Sequence, residues 1–98
     1  MRGHRRRVAD AIGRRLEALG ELTQVLVVTH LPQVAARGRE HFVVSKTVKK
    51  QMTFTDVKKL KKSEQREELA RMLSGSEITD EARKAADRLL AGKDKHAA

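Results

Sequence analysis

Apolar and polar positions alternate along this chain in three distinct rhythms. Val8, Ala11, Ile12, Leu16 and Leu19 recur at three- and four-residue spacing, so residues 5–19 read as a helix with one apolar stripe, which Gly20 is placed to end. Val25 to Val28 are apolar without interruption, the mark of a strand covered on both faces, and strands of that kind belong to parallel sheets. Pro32 restricts Leu31 to the extended region and suits the first turn of a short helix through Gln33–Ala36 that stops near Gly38. Residues 41–48 and 52–57 are rich in Val, Thr and Phe and read as a strand pair about a turn at Lys49, Lys50 and Gln51, which lacks the Asn-Gly or Asp-Gly signal of a tight hairpin. Two helices complete the pattern. Ser63 can cap the first, whose apolar edge is Leu69, Met72 and Leu73 and whose stop is Gly75; Thr79 can cap the second, along Ala82, Ala85, Ala86, Leu89 and Leu90. From 92 to 98 the apolar rhythm is lost, and a disordered tail is expected.

A helix, a covered strand, a hairpin and two further helices give an α/β reading for residues 1–91, with a parallel core strand, a β-hairpin and flanking helices. In such sheets ligands gather beyond the carboxyl ends of the strands, where Thr29 and His30 fall. The chain has 98 residues, which limits it to one small domain. Its only aromatic residues are Phe42 and Phe54, so packing rests on aliphatic side chains. Without cysteine there is neither a disulfide framework nor a thiolate metal site, and His4, His30, His41 and His96 have no ligand-like spacing, so no metal site is expected. No apolar stretch is long enough for a membrane span and no secretory signal is visible, which points to a soluble cytoplasmic chain.

Charge adds a second theme. Lys and Arg number 22 against 13 Asp and Glu, a formal net charge of +9. The excess collects in two blocks: Arg2, Arg5, Arg6, Arg7, Arg14 and Arg15, then Lys46, Lys49, Lys50, Lys58, Lys59, Lys61 and Lys62. Such blocks attract polyanions through counterion release, although each alone reads equally well as a solvated surface. Lys58, Lys59, Lys61 and Lys62 are the candidates for weak nucleic-acid contact. No aromatic side chain is interleaved with them, so the binding expected is electrostatic and without sequence preference.

The run Gln24-Val25-Leu26-Val27-Val28-Thr29-His30-Leu31-Pro32-Gln33-Val34, with Ala35 and Ala36 after it, closely resembles the switch-histidine segment of the RecN family, bacterial double-strand-break repair ATPases related to SMC proteins. The resemblance continues through His41-Phe42-Val43-Val44-Ser45-Lys46 and through Glu67-Glu68-Leu69-Ala70-Arg71-Met72-Leu73-Ser74-Gly75-Ser76-Glu77-Ile78-Thr79, and covers most of residues 8–91. It implies the carboxyl-terminal part of an ABC-type ATPase head that acts in DNA double-strand break repair and recombination. His30 stands where the family places the histidine that senses the γ-phosphate of ATP, a role an imidazole donor can perform. The resemblance also implies ATP and Mg2+ as cofactors, the remainder of the head as partner, a dimer in the full-length protein, DNA as a possible further partner, and a nucleoid-associated place in the cytoplasm. Walker A, Walker B and signature motifs are missing from these residues, so the chain is expected to be inactive alone. Before Val8, Met1-Arg2-Gly3-His4-Arg5-Arg6-Arg7 takes the place of the family's glycine-rich, Asp-containing loop. A small basic module that binds nucleic acid without sequence preference is the competing reading. It predicts steep salt dependence and indifference to His30.

Overall fold

A computed structural model describes residues 2–95, with side chains described for residues 5–92. Its elements are α1 (Arg2–Leu22), α2 (Pro32–Ala35), β1 (Phe42–Lys49), β2 (Met52–Lys59), α3 (Lys62–Ser74) and α4 (Asp80–Lys95). The chain is thus mixed helix and strand, compatible with an α/β class, and the sheet among the described residues is the antiparallel pair β1–β2.

The largest departure from expectation lies at residues 24–29. They form no strand, and the backbone groups of residues 24–28 bond to no other backbone group among the described residues. The parallel core strand expected here is therefore not shown, nor is its coverage: Leu26 is 85% and Val28 90% exposed. The physical reason is the lack of a neighbour. A strand exists only through ladder bonds to another, and β1 and β2 satisfy each other instead.

The helix α1 also differs in length and in face. It runs past Gly20 to Leu22, and Thr23 N–H bonds Leu19 O at 3.1 Å, because a glycine that keeps ordinary helical φ weakens a helix without ending it. Among its described side chains the buried positions are Ala9 and Gly13, whereas Val8, Ile12 and Leu19 of the expected stripe are about half exposed. The cause is α2. A β-carbon at residue 13 would lie 3.0 Å from Gln33 O and 3.1 Å from Arg37 Cγ, so the two helices meet where side chains are smallest. Glu17 accepts from Arg37 at 3.1 Å alongside, with both side chains mostly buried.

The core lies between α2, α3 and α4. Leu69 is its one large, fully buried side chain, surrounded by Ala36, Ala70, Ala82 and Ala86, with Met72, Ile78, Leu89 and Leu90 packed at the edge. Arg66 grips Asp87 by two bonds of 2.7 and 3.0 Å, and Arg83 reaches Glu67 at 2.9 Å, so α3 and α4 are also tied across their outer faces.

Local chemistry sets the ends of these helices. Gly75 adopts φ +84° and returns its N–H to Arg71 O, and Thr79 Oγ1 accepts from Ala82 N–H at 3.1 Å, as the sequence predicts. Ser63 is not the cap of α3. That helix starts two residues earlier, with Lys61 as the flanking residue and Glu64 Oε1 accepting from Lys61 N–H at 3.0 Å. The Glu64 carboxylate thus satisfies the backbone N–H of the flanking residue, the N3 half of a capping box. At the other end α4 continues through Lys95, beyond the position where a tail is expected to begin at 92; residues 96–98 lie outside the described residues. So do the side chains of His4 and His96.

Candidate functional site

The histidine loop is built from three local devices. Thr29 Oγ1 accepts from Leu31 N–H at 3.0 Å, closing a turn around His30 by a hydroxyl rather than by a ladder. Leu31, held extended before Pro32 at φ −96° and ψ 116°, has a carbonyl that accepts from Val34 N–H and Ala35 N–H at 3.1 and 3.0 Å. Pro32 opens α2, and the buried Val34 and Ala36 anchor that helix to the core. His30 is exposed at the bend between these anchors, and no hydrogen bond to its ring occurs among the described residues. The backbone around the imidazole is fixed while the ring faces solvent.

His41 is the contrasting case. It is buried, and its Nε2–H donates to Gly38 O at 3.1 Å, which pins the start of β1 to the loop after α2. Leu60 N–H donates to His41 O at 2.8 Å and closes the other side of the ribbon's base.

The four candidate lysines are not one patch of free charge. Lys58 Nζ donates to Glu64 at 2.8 Å, and Lys59 Nζ to Glu40 at 3.1 Å, so two of the four carry an acidic partner. The hydrogen bond from Lys58 holds the Glu64 carboxyl below its ordinary range, helped by the N–H of Lys61. Lys61 and Lys62 sit exposed at the start of α3. Farther out, Lys46, Lys49 and Lys50 take part in no ion pair among the described residues. The sequence shows these three as part of a charge block; only the pairing pattern separates them from Lys58 and Lys59.

Among the described residues no three His, Asp or Glu side chains come together as a metal site, and no helix is long and apolar enough to cross a membrane. The fold and loop together define a mixed α/β segment that presents a histidine between an unpaired apolar run and a proline-started helix. No protein-family model matches the chain. It is 51% identical over 83 residues to the DNA repair protein RecN of Xylella fastidiosa, 48% over 83 residues to that of Rickettsia felis, and 43% over 84 residues to that of Bacillus subtilis. These matches cover about 85% of this chain, and the chain spans only 15% of the length of each relative, at the carboxyl-terminal end. The chain belongs to the RecN family and corresponds to its carboxyl-terminal segment.

Proposed function

We propose that this chain is the switch-histidine piece of a RecN-type ATPase head that works in DNA double-strand break repair and recombination. The observation that carries the reading is the exposed His30, held by Thr29 and Pro32 at the end of an apolar run whose Leu26 and Val28 side chains lie in solvent and whose backbone bonds to no other backbone group among the described residues. In this reading residues 24–29 become a parallel strand when the remainder of the head supplies neighbours for them. Their unpaired N–H and C=O groups are then satisfied and their apolar side chains covered.

The residues present do not form a nucleotide site by themselves. No glycine-rich phosphate cradle with its lysine is in the sequence, and no carboxylate cluster occurs among the described residues. ATP and Mg2+ therefore belong to the remainder of the head. What this chain supplies is an imidazole whose donor nitrogen can meet a terminal phosphate oxygen and help align the attacking water. A dimer of complete heads and a nucleoid-associated, cytoplasmic location follow from the same reading. Support for it comes from the relatives, each named a DNA repair protein RecN.

The test is complementation. A RecN polypeptide lacking its own carboxyl-terminal 15% is mixed with this chain and ATP turnover is followed. The wild-type chain should restore turnover, and His30→Ala should restore about a hundredfold less, the scale of losing one positioned donor at a developing charge. No restoration by the wild type, or equal restoration by the variant, removes the sensor role.

A further inference from the structure

The β1–β2 ribbon is the part of the molecule that the ATPase reading leaves unused. Its strands pair from Phe42 opposite Lys59 to Lys49 opposite Met52, and all of its residues but Val43 are exposed. Eight residues per strand give it a reach of about 26 Å. At its base the ribbon is fixed by His41, by Leu60 and by the Lys58 and Lys59 ion pairs. The outer half is anchored only by its own ladder.

Charge is distributed unevenly along this arm. It holds Lys46, Lys49, Lys50, Lys58 and Lys59 against a single acid, Asp56. The two lysines at the base are matched by Glu64 and Glu40, so the unmatched charge is at the tip. Alternation along β1 places Lys46 on one face and Lys49 on the other, with Lys50 in the turn between the strands.

The turn itself carries a further sign. Lys50 and Gln51 have φ of +49° and +64°, the left-handed region that disfavours a side chain and where Gly, and less strictly Asn, is the usual residue. A lysine is held at the extreme end of the arm at a local conformational expense, as strained residues at working sites are.

We propose that this ribbon is a DNA-contacting arm whose tip enters the major groove of duplex DNA, Lys46 and Lys49 meeting the phosphates on its two walls and Lys50 leading. The major groove, about 12 Å wide and 8.5 Å deep, admits a two-stranded ribbon, and an arm of this length reaches it while the helical body stays outside. Recognition is mainly electrostatic, because Thr47, Val48, Met52 and Thr53 around the tip offer no bidentate pairing with base edges, and Gln51, beside Lys50 in the turn, is the one amide there able to pair with an adenine edge. The proposal goes beyond the ATPase reading and does not depend on it.

The 98-residue chain is titrated with a labelled DNA duplex at several salt concentrations. Lys46→Gln/Lys49→Gln/Lys50→Gln should weaken binding about tenfold or more at low salt and lower the salt slope by about 1 for each lysine removed. Arg14→Gln/Arg15→Gln/Lys84→Gln removes the same charge from exposed helical positions and should weaken binding far less; equal loss in the two triple variants overturns the proposal. His30→Ala should bind as the wild type does, so this test and the turnover test fail independently. Because the chain has no cysteine, Thr53→Cys and Lys84→Cys each carry one fluorophore. DNA should change the emission at 53 and not at 84, and the reverse pattern overturns the placement whatever the lysine variants do. The narrow major groove of an RNA duplex should reduce affinity several-fold; equal binding to RNA refutes groove entry. Absence of binding to DNA at low salt refutes the arm altogether.

Discussion

Replacing Leu26 and Val28 together by alanine separates the stability of this chain from its fit to a partner. The two side chains are 85% and 90% exposed, so removing their outer carbons takes almost nothing from the isolated fold, and its melting curve should stay within about 0.5 kcal/mol of wild type. If residues 24–29 become a covered strand in the complete head, both side chains go from water to a packed interior. A fully buried Leu or Val contributes roughly 1.5–3 kcal/mol by that transfer, so truncating both should forfeit about 3 kcal/mol of docking free energy. That is about a hundredfold in dissociation constant. The assay is calorimetric titration of the variant into a RecN polypeptide without its own carboxyl-terminal segment, beside a thermal melt of the free chain by circular dichroism. A weakening of less than threefold would show that the apolar run stays in solvent in the complex. A melt lowered as far as a core substitution lowers it would show that the run is already buried in the free chain. Either result rules out burial of the run on docking.

Leu69→Ala should cost about 3 kcal/mol and lower the melting temperature by more than about 10 °C, since it empties the centre of a core otherwise made of alanines, whereas Leu73→Ala, at 37% exposure on the same helix, should cost less than about 1 kcal/mol; equal effects would refute the assigned packing of α3. Gln51→Gly should relieve the left-handed turn by about 1 kcal/mol, read as roughly fivefold slower amide exchange across β1–β2, and unchanged exchange would show that the turn carries no such strain. The Glu64 carboxyl is held below its ordinary value of 4.5 in the folded chain, first by the hydrogen bond from Lys58. A folded value below the unfolded one stabilises at pH above the unfolded value, and the contribution fades as pH falls through the lowered one. Acidification from neutral to below 4.5 should therefore loosen the junction of β2 and α3, with the Glu64 resonance titrating alongside, and Glu64→Gln should remove that pH dependence.

Local chemistry in the sequence determined the start of α2 at Pro32, the stop at Gly75 and the cap at Thr79, because each depends on a few adjacent residues whose dihedral and hydrogen-bonding preferences do not need a distant partner; the hairpin was legible from its two β-rich runs and not from its turn, where Lys50 and Gln51 lie in the left-handed region. The position of His30 after an apolar run and before a proline was legible for the same reason. Tertiary structure decided the rest. Which face of α1 is buried follows from the approach of α2 onto Gly13, a contact that periodicity cannot foresee when the smallest residue, not the most apolar one, sets the distance. The start of α3 followed Glu64, whose bond to Lys61 N–H is local, three residues back, but whose ion pair with Lys58 is seen only once the strand and helix are joined at their angle. Pairing with Glu40 and Glu64 neutralises the inner lysines and leaves the outer ones free, so a block that is uniform in sequence becomes a gradient in space. The run at 24–29 shows the division most plainly: its apolar character is written in the sequence, but a ladder needs two strands, and hydrogen bonds to a neighbour are a property of tertiary structure alone.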